Sequence, residues 1–287
     1  MSQLVPDAKP FRILALDLDG TLLNARGAVS AEDAAALRRF AEAGGTVVLA
    51  SGRMTATIRT HQRALGLDGP TIAYNGAMVR EPEADGGKVI LHRPLPARYA
   101  DELIEYALAE RLCLNYYLEE VLYARDDPEL RRFSDLYTSR TGAVLRFLPD
   151  LRVFKGRDPT KALIVTDRTL PGAPDPRHRD ELYQLWRGRW GDQIMVERSE
   201  PEYLEFLHPQ AHKGAALAAV AERYGVDRSL VLAIGDSFND VTMLEWAGCG
   251  VAVANAAQEA KRAADWVSPL SHDDSAVADV VARLVVT

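Results

Sequence analysis

The sequence predicts an α/β protein in which a doubly wound parallel sheet carries a second, inserted α/β domain. Short apolar runs alternate with amphipathic stretches over residues 11–78, and the same alternation returns over residues 213–254. This alternation is typical of βαβ units that build a parallel sheet. The segment over residues 80–203 is too long for a loop in a compact domain, so we expect it to fold as a domain of its own.

The two outer stretches form one Rossmann-like core domain in this interpretation, which comprises residues 1–80 and 204–287. Ser30 is a preferred helix-capping residue and Gly44 a preferred helix terminator, so the first helix is expected between them. Further helices are expected near residues 55–64, 213–224 and 239–247. The expected strands of the core sheet are residues 11–16, 46–50, 70–73, 230–234 and 250–254.

Residues 81–203 are predicted to form the inserted α/β domain. Its strand patterns occupy residues 88–92, 112–118, 121–125, 162–166 and 193–196, and its helical patterns occupy residues 97–111, 128–141 and 177–189. The last helix is rich in arginine and carries Trp186, which admits a nucleic-acid patch as an alternative. Asp180 and Glu181 dilute the positive charge and disfavour that alternative.

Composition and charge exclude several classes of protein. Apolar residues make up 47% and charged residues 26% of the chain, which is the balance of a globular protein. The formal charge of −7 repels a polyanion, so we expect no nucleic-acid partner. The chain shows no signal-peptide pattern and no apolar run of about 18 residues, so we expect no membrane association and a cytoplasmic location. Cys113 and Cys249 offer no disulfide framework, which fits a reducing compartment.

Polar clusters follow four of the predicted core strands, at the point where each strand ends. In an open parallel sheet, ligands bind beyond the carboxyl ends of the strands. Turn formation alone explains any single cluster, whereas four clusters at one edge favour a functional site. The clusters are Asp17-Leu18-Asp19-Gly20-Thr21, Ser51-Gly52-Arg53, Tyr74-Asn75-Gly76 and Gly235-Asp236-Ser237-Phe238-Asn239-Asp240.

The carboxylates of Asp17, Asp19 and Asp236 would repel one another at this edge unless a cation compensates them. Carboxylate and carbonyl oxygens suit Mg²⁺ better than Zn²⁺. Mg²⁺ in turn indicates a phosphoryl substrate, which an Asp attacks as a nucleophile. The Ser51 hydroxyl, the backbone N–H groups after it and the Lys213 ammonium suit such an anion.

Two of the basic residues admit a structural interpretation beside the functional one. Lys213 begins a predicted helix, where a solvated surface lysine is as common as an anion ligand. Arg53 is either a phosphate or substrate contact or one half of a structural ion pair, and we favour the contact slightly.

The motifs, taken in order, resemble those of the haloacid dehalogenase superfamily of phosphohydrolases. They are Asp-x-Asp-Gly-Thr from Asp17, Ser-Gly-Arg from Ser51, then Lys213, then Gly-Asp-x-x-Asn-Asp from Gly235. The long gap between the second and third motifs falls where members with a large α/β cap carry that cap. Tyr-Asn-Gly-Ala from Tyr74 is similar to the Cof-type branch, class IIB. The resemblance implies a Rossmann-like core with an inserted cap that governs substrate specificity.

The resemblance also implies a role for each motif residue. Asp17 would be the nucleophile that forms an aspartyl-phosphate, and Asp19 the general acid and then the general base. Ser51, Gly52 and Lys213 would bind the phosphoryl group. The remaining implied roles are Mg²⁺ binding by the Asp17 carboxylate, the Asp19 carbonyl and Asp236, ordering of the metal loop by Asn239 and Asp240, and substrate contact by Asn75 and Arg53.

We therefore expect an Mg²⁺-dependent phosphatase of small phosphorylated metabolites, such as sugar, nucleotide or cofactor phosphates, acting as a monomer or homodimer. The alternative is a phosphotransferase or phosphomutase that passes the phosphoryl group to a sugar by the same aspartyl-phosphate chemistry. A binding or regulatory protein is disfavoured, because it has no need of an acid at Asp19. Candidate specificity residues in the cap are Asn115, Tyr116, Tyr117, Arg125, Arg152 and Lys155.

Overall fold

The computed structural model describes residues 5–166, 179–200 and 202–286. The chain divides into two compact units, a core unit of Met1–Leu91 and His212–Thr287 and an inserted unit of His92–Ala211. These boundaries differ by about ten residues from those expected from the sequence. The difference arises because a strand ending at His92 extends the core sheet, whereas a strand ending at Leu207 belongs to the inserted sheet.

The first segment of the core unit alternates strands and helices as predicted. Ser30 caps the first helix, and its side chain accepts a hydrogen bond from the backbone N–H of Asp33. The strand at Met78–Arg80 was not predicted, because three residues are too few to show an alternation. The elements are β1 (Ile13–Asp17), α1 (Ala31–Glu42), β2 (Thr46–Ala50), α2 (Thr55–Leu65), β3 (Thr71–Ala73), β4 (Met78–Arg80) and β5 (Val89–His92).

The inserted unit is a six-stranded sheet in the order β10-β11-β9-β6-β7-β8, antiparallel except for the parallel β7 and β8 pair. Its apolar core includes side chains of α3 and α5 and of the sheet. Strands β8 and β11 were not predicted from the sequence, and the first two residues of the helix predicted over 177–189 lie outside the described residues. The elements are α3 (Ala97–Ala109), β6 (Cys113–Leu118), β7 (Val121–Arg125), α4 (Arg131–Thr141), β8 (Leu145–Leu148), β9 (Lys161–Val165), α5 (Arg179–Trp190), β10 (Met195–Glu200) and β11 (Tyr203–Leu207).

The chain then returns to the core unit. The helix predicted over residues 239–247 is shorter than expected, because a 3₁₀ turn at Phe238–Asp240 precedes it. Within the described residues, no helix is both long and apolar enough to cross a bilayer. The elements are α6 (Lys213–Tyr224), β12 (Val231–Gly235), α7 (Val241–Trp246), β13 (Cys249–Ala252), α8 (Gln258–Ala263), β14 (Trp266–Val267) and α9 (Ala276–Leu284).

The core sheet has the order β14-β13-β12-β1-β2-β3-β4-β5 and is parallel from β14 to β3. The predicted fold class, α/β with a doubly wound parallel sheet, is confirmed. All five residues of β1 are buried, as expected for a strand covered on both faces. The chain moves from β1 toward β2 and β3 and later fills the other side with β12, β13 and β14. The switch point therefore lies between β1 and β12, which is where ligands bind in such sheets.

Candidate active site

Two carboxylates meet at the switch point. Asp17 is the last residue of β1 and Asp236 directly follows β12, and these strands are hydrogen-bonded neighbours. Carboxylate oxygens of Asp17, Asp236 and Asp240 all lie within 4.8 Å of one another. The backbone passes close by at Gly20, where a Cβ atom would lie 2.5 Å from an Asp236 oxygen. Gly20, with a φ of +83°, therefore leaves room for the cluster.

A buried ammonium lies inside this cluster. Lys213 is the first residue of α6 and is 0% exposed. Its Nζ donates to Oδ1 of Asp17 and to Oδ1 of Asp240, at 2.6 Å in each case. Burial lowers the pKa of Lys213, but the two carboxylates raise it by more, so the ammonium stays charged. The structure therefore places Lys213 among buried carboxylates and not on the solvated surface.

The remaining oxygen of Asp240 fixes the loop that carries Asp236. Oδ2 of Asp240 accepts hydrogen bonds from the backbone N–H groups of Asp236 and Ser237, both at 3.0 Å. The close approach needs Gly235, where a Cβ atom would lie 2.6 Å from the Cβ of Asp240. Asp240 thus turns back onto the backbone of a 3₁₀ turn and holds the loop that carries Asp236.

Burial and mutual repulsion oppose full negative charge on the cluster. Burial, with a further contribution from the charge of Asp240, raises the pKa of Asp236 to about 6. Burial also raises the pKa of Asp17 well above its ordinary value, although Lys213 acts in the opposite direction. Thr21 partly stabilises the charged form, because its hydroxyl donates to Oδ1 of Asp236 at 2.9 Å. A cation beside Asp17 and Asp236 would relieve the repulsion that remains.

The donor set fits a hard divalent cation. Both oxygens of Asp240 are engaged, one by Lys213 and one by backbone N–H groups, so Asp17 and Asp236 are the carboxylates that can face an ion. Oxygen donors in a cluster without imidazole or thiolate suit Mg²⁺ better than Zn²⁺. The side-chain chemistry is thus consistent with the Mg²⁺ expected from the sequence.

The raised pKa of Asp236 predicts how stability depends on pH in the presence of a chelator. Between pH 4 and pH 6 the folded protein binds this proton more tightly than the unfolded chain does, so the free energy of unfolding falls as the pH rises. The shift from 3.8 to about 6 corresponds to a loss of about 3 kcal/mol. Asn does not titrate, so we expect the Asp236→Asn variant to lack this loss. Its free energy of unfolding should therefore rise relative to that of the wild type as the pH increases from 4 to 7.

Urea unfolding of both proteins at several pH values, with and without Mg²⁺, checks this prediction. Mg²⁺ is expected to reduce the difference between the two proteins at pH 7, since only the wild type retains both carboxylates. A difference in stability that stays constant from pH 4 to pH 7 would contradict the raised pKa.

Ser51 directly follows β2 and lies beside the turn after β3. The backbone carbonyl of Ser51 accepts from the N–H of Asn75 at 3.1 Å, and Asn75 lies in the left-handed region with a φ of 56°. Gly52 lies against Asn75, since a Cβ atom on Gly52 would lie 2.9 Å from the Asn75 Oδ1. That Oδ1 accepts from Nδ2 of Asn239 at 3.1 Å. The side chains of Asn75 and Asn239 therefore join the third and fourth polar clusters.

Asp19 does not join the buried carboxylates. Its carboxylate accepts two hydrogen bonds from Arg53, from Nε at 2.8 Å and from one Nη at 2.6 Å. The Asp19 side chain is 54% exposed. Of the two interpretations of Arg53, the ion pair therefore describes the structure better than the slightly favoured substrate contact.

Two supporting residues were missed. Thr21, which donates a hydrogen bond to Asp236, is part of the first motif, but no function was predicted for it from the sequence. Asn255 donates through Nδ2 to the carbonyl of Gly20 at 2.8 Å and accepts from the N–H of His272 at 3.0 Å, which fixes the loop after β1. An Asn in a loop after a strand carries no distinctive sequence signal, because Asn is common in every kind of turn.

The candidate specificity residues of the inserted unit fall into two groups. The charged ones have local partners: Arg125 pairs with Asp127, Arg152 with Asp150, and Lys155 with Glu105. The uncharged ones are buried. Among the described residues, the amide atoms of Asn115 have no hydrogen-bond partner, Tyr116 lies in the apolar core, and Tyr117 donates to the Tyr137 hydroxyl.

The chain matches the family model of haloacid dehalogenase-like hydrolases over residues 14–281 and belongs to that family. Its relatives include 5-amino-6-(5-phospho-D-ribitylamino)uracil phosphatase YwtE of Bacillus subtilis, 28% identical over 96% of this chain and 98% of the relative. Another relative is pyridoxal phosphate phosphatase YbhA of Escherichia coli, 28% identical over 96% of this chain and 99% of the relative. The predicted family and enzyme class are confirmed.

A solved structure agrees with this assignment. The crystal structure of a Thermotoga maritima protein superimposes with a TM-score of 0.83 and 32% sequence identity, and the match covers 96% of this chain and 98% of that one. The likeness therefore extends through both the core unit and the inserted unit.

Proposed function

We propose that this chain hydrolyses small phosphorylated metabolites with the aid of Mg²⁺, through an aspartyl-phosphate formed on Asp17. The observation that carries the proposal is the buried Lys213 ammonium, 2.6 Å from the carboxylates of both Asp17 and Asp240. A phosphate monoester is an anion, and it can approach a carboxylate nucleophile only where positive charge offsets the repulsion. Lys213 supplies that charge at the nucleophile itself.

In the first step a carboxylate oxygen of Asp17 attacks phosphorus, and the bond from phosphorus to the leaving oxygen breaks. Asp19 gives its proton to that oxygen, so that an alcohol leaves. The N–H of Gly52 and the hydroxyl of Ser51 would donate to the phosphoryl oxygens, where negative charge has to be stabilised. Lys213 keeps its proton throughout and acts by its charge.

In the second step Asp19 works in the opposite direction. It accepts a proton from a water molecule while the water oxygen attacks phosphorus, and the acyl phosphate bond to Asp17 breaks. Phosphate leaves and Asp17 is again a carboxylate. Protonated Asp19 is then ready to serve as the acid in the next turnover.

Asp17, Asp236 and the backbone carbonyl of Asp19 are the groups that would hold Mg²⁺. The ion, when bound, neutralises phosphoryl oxygens and so lowers the cost of bringing an anion to Asp17. Asp240 serves indirectly, because its carboxylate fixes the backbone of Asp236. Asn239 supports the same loop through its bond to Asn75.

The proposed substrate class is based on the named substrates of two relatives. Those relatives are named for the phosphates of pyridoxal and of a ribitylaminouracil, both small molecules. We assign substrates of that size to this chain, with the phosphoryl chemistry in the core unit and the choice of leaving group in the inserted unit.

Phosphate release from p-nitrophenyl phosphate and from a panel of sugar, nucleotide and cofactor phosphates tests this proposal. With Mg²⁺ present, free phosphate should appear in amounts equal to the alcohol released. A chelator should slow the reaction by roughly 10²-fold or more, since a bound ion supplies several kcal/mol of transition-state stabilisation.

Two results would overturn the proposal. Activity that a chelator leaves unchanged would exclude the metal-assisted site. Release of phosphate only after a sugar acceptor is added would replace hydrolysis by phosphoryl transfer.

A further inference from the structure

The Asp19 carboxylate is held by one planar group. Arg53 donates through Nε to one oxygen and through an Nη to the other, at 2.8 and 2.6 Å. Two parallel N–H···O bonds of this kind fix the orientation of a carboxylate as well as its distance, which a lysine ammonium cannot do. Both side-chain torsions of Asp19 are therefore set by Arg53.

Folding stability is not a sufficient reason for this pair. The Asp19 side chain is 54% exposed and that of Arg53 is 23% exposed, and ion pairs at such exposure add little to stability. Orientation is a stronger reason, because an exposed aspartate otherwise samples several rotamers. The negative charge of Asp17, two residues earlier in the chain, also repels the Asp19 carboxylate.

The backbone of Arg53 is itself anchored to the polar strand ends. Its N–H donates to Oγ of Ser51 at 3.2 Å, and its carbonyl accepts from the N–H of Tyr74 at 3.0 Å. Tyr74 is fully buried and has a φ of 51°, a conformation that a bulky residue adopts only where its surroundings enforce it. The guanidinium therefore projects from a firmly held segment, as a positioning group requires.

We propose that Arg53 is a positioning residue that orients the Asp19 carboxyl group for both proton transfers, to the leaving oxygen in the first step and from water in the second. This inference rests on the proposed function, in which Asp19 is the acid and base. In this role Arg53 acts on Asp19 and not on the phosphoryl group. Loss of Arg53 should then harm the steps that need Asp19 and leave substrate binding nearly unchanged.

A comparison of leaving groups tests this role. Arg53→Met should lower kcat for an alkyl phosphate, such as a sugar 6-phosphate, by roughly 10- to 100-fold, a part of what a general acid contributes. KM should change by less than about threefold, because the interactions that hold the substrate equally in the ground state and the transition state are retained. The burst of p-nitrophenolate in the first turnover should be affected less, since this leaving group departs without a proton. Arg53→Lys keeps the charge but not the two-point contact, and it should recover only part of kcat.

A double-mutant cycle with Asp19→Asn separates the two possible routes of action. If Arg53 acts through Asp19, adding Arg53→Met to Asp19→Asn causes no further loss of kcat. Losses that multiply in the double variant, or a raised KM with unchanged kcat, would show that Arg53 acts on the substrate and would overturn the inference.

The chain provides a matched control. Arg63 makes the same kind of two-point contact with Glu83, at 3.0 and 2.6 Å, on the same unit. Arg63→Met should leave kcat and KM at the wild-type values.

The outcomes also separate this inference from the proposed function. Wild-type rates in Asp17→Asn and Asp19→Asn would overturn both. Inactive Asp variants together with a fully active Arg53→Met would overturn the positioning role alone. If Arg53→Met fails to fold, as judged by thermal unfolding, Arg53→Lys decides in its place by the same criteria.

Discussion

Replacing Asp17 by Asn is expected to abolish phosphate release, with a loss in kcat of roughly 10⁴-fold or more, as when a catalytic nucleophile is removed. An amide oxygen is a poor nucleophile, and it also lacks the negative charge that Lys213 balances in the wild type. Phosphate release from the panel under saturating Mg²⁺ measures the effect. Thermal unfolding should show a folded variant, because the substitution keeps the shape of a buried side chain.

A second buried aspartate of the core unit serves as the control. Asp33 is 0% exposed, burial raises its pKa, and its Oδ1 accepts from the N–H of Ala278 at 2.7 Å. Asp33→Asn removes a buried carboxylate away from the strand ends and should retain the wild-type rate below its unfolding temperature. Turnover by Asp17→Asn at the wild-type rate would exclude a nucleophilic role for Asp17.

Replacing Lys213 by Met is expected to lower both activity and stability strongly. Without the ammonium, the buried carboxylates of Asp17 and Asp240 lose their compensating charge. Breaking a buried ion pair in this way costs about 3–5 kcal/mol. The pKa of Asp17 should rise further, so that less of the nucleophile is ionised at neutral pH. Denaturant unfolding and phosphate release at several pH values measure the two effects.

The inserted unit holds a comparable buried pair. Nζ of Lys161 donates to Oε2 of Glu205 at 2.9 Å, and both side chains are buried. Lys161→Met should lose a similar amount of stability and still release p-nitrophenolate below its unfolding temperature. A stable and active Lys213→Met would show that Lys213 neither compensates the cluster nor assists phosphoryl transfer.

Much of the site could be predicted from the sequence, because the position of a residue in a βαβ pattern determines which sheet edge it reaches. Four strands end at that edge, and the structure places Asp17, Ser51, Asn75 and Asp236 at or just after their ends. Lys213 was harder to place, because a lysine at a helix start looks the same whether it is solvated or buried. Its burial follows from tertiary packing, with α6 beginning against the turn at Gly76.

The orientation of individual side chains could not be predicted. The carboxylates of Asp17, Asp19 and Asp236 were expected to meet at one sheet edge, yet the Asp19 carboxylate is held by Arg53. The sequence also did not show that one oxygen of Asp240 accepts from backbone N–H groups of a 3₁₀ turn while the other accepts from Lys213. Such choices depend on hydrogen bonds between distant segments, which residue spacing does not encode.

The inserted unit was predicted less completely than the core unit. Its sheet is largely antiparallel, and the order of its strands differs from their order in the chain. The repeating βαβ pattern that identifies strands in the core unit is therefore missing, and the short strands β8 and β11 were not predicted. Its buried polar residues were also unexpected, because Lys161 and Glu205 are residues of types that are almost never buried unless they are paired.

Trapping the covalent intermediate tests the central claim most directly. The protein is mixed with Mg²⁺ and a phosphorylated substrate, quenched in acid within the first turnovers, and digested for mass spectrometry. Our account predicts one added phosphoryl group on the wild-type peptide that contains Asp17. The same group should be absent from Asp17→Asn. It should accumulate in Asp19→Asn if that substitution slows the second step more than the first. Rapid phosphate release with no phosphorylated Asp17 at any quench time would contradict it.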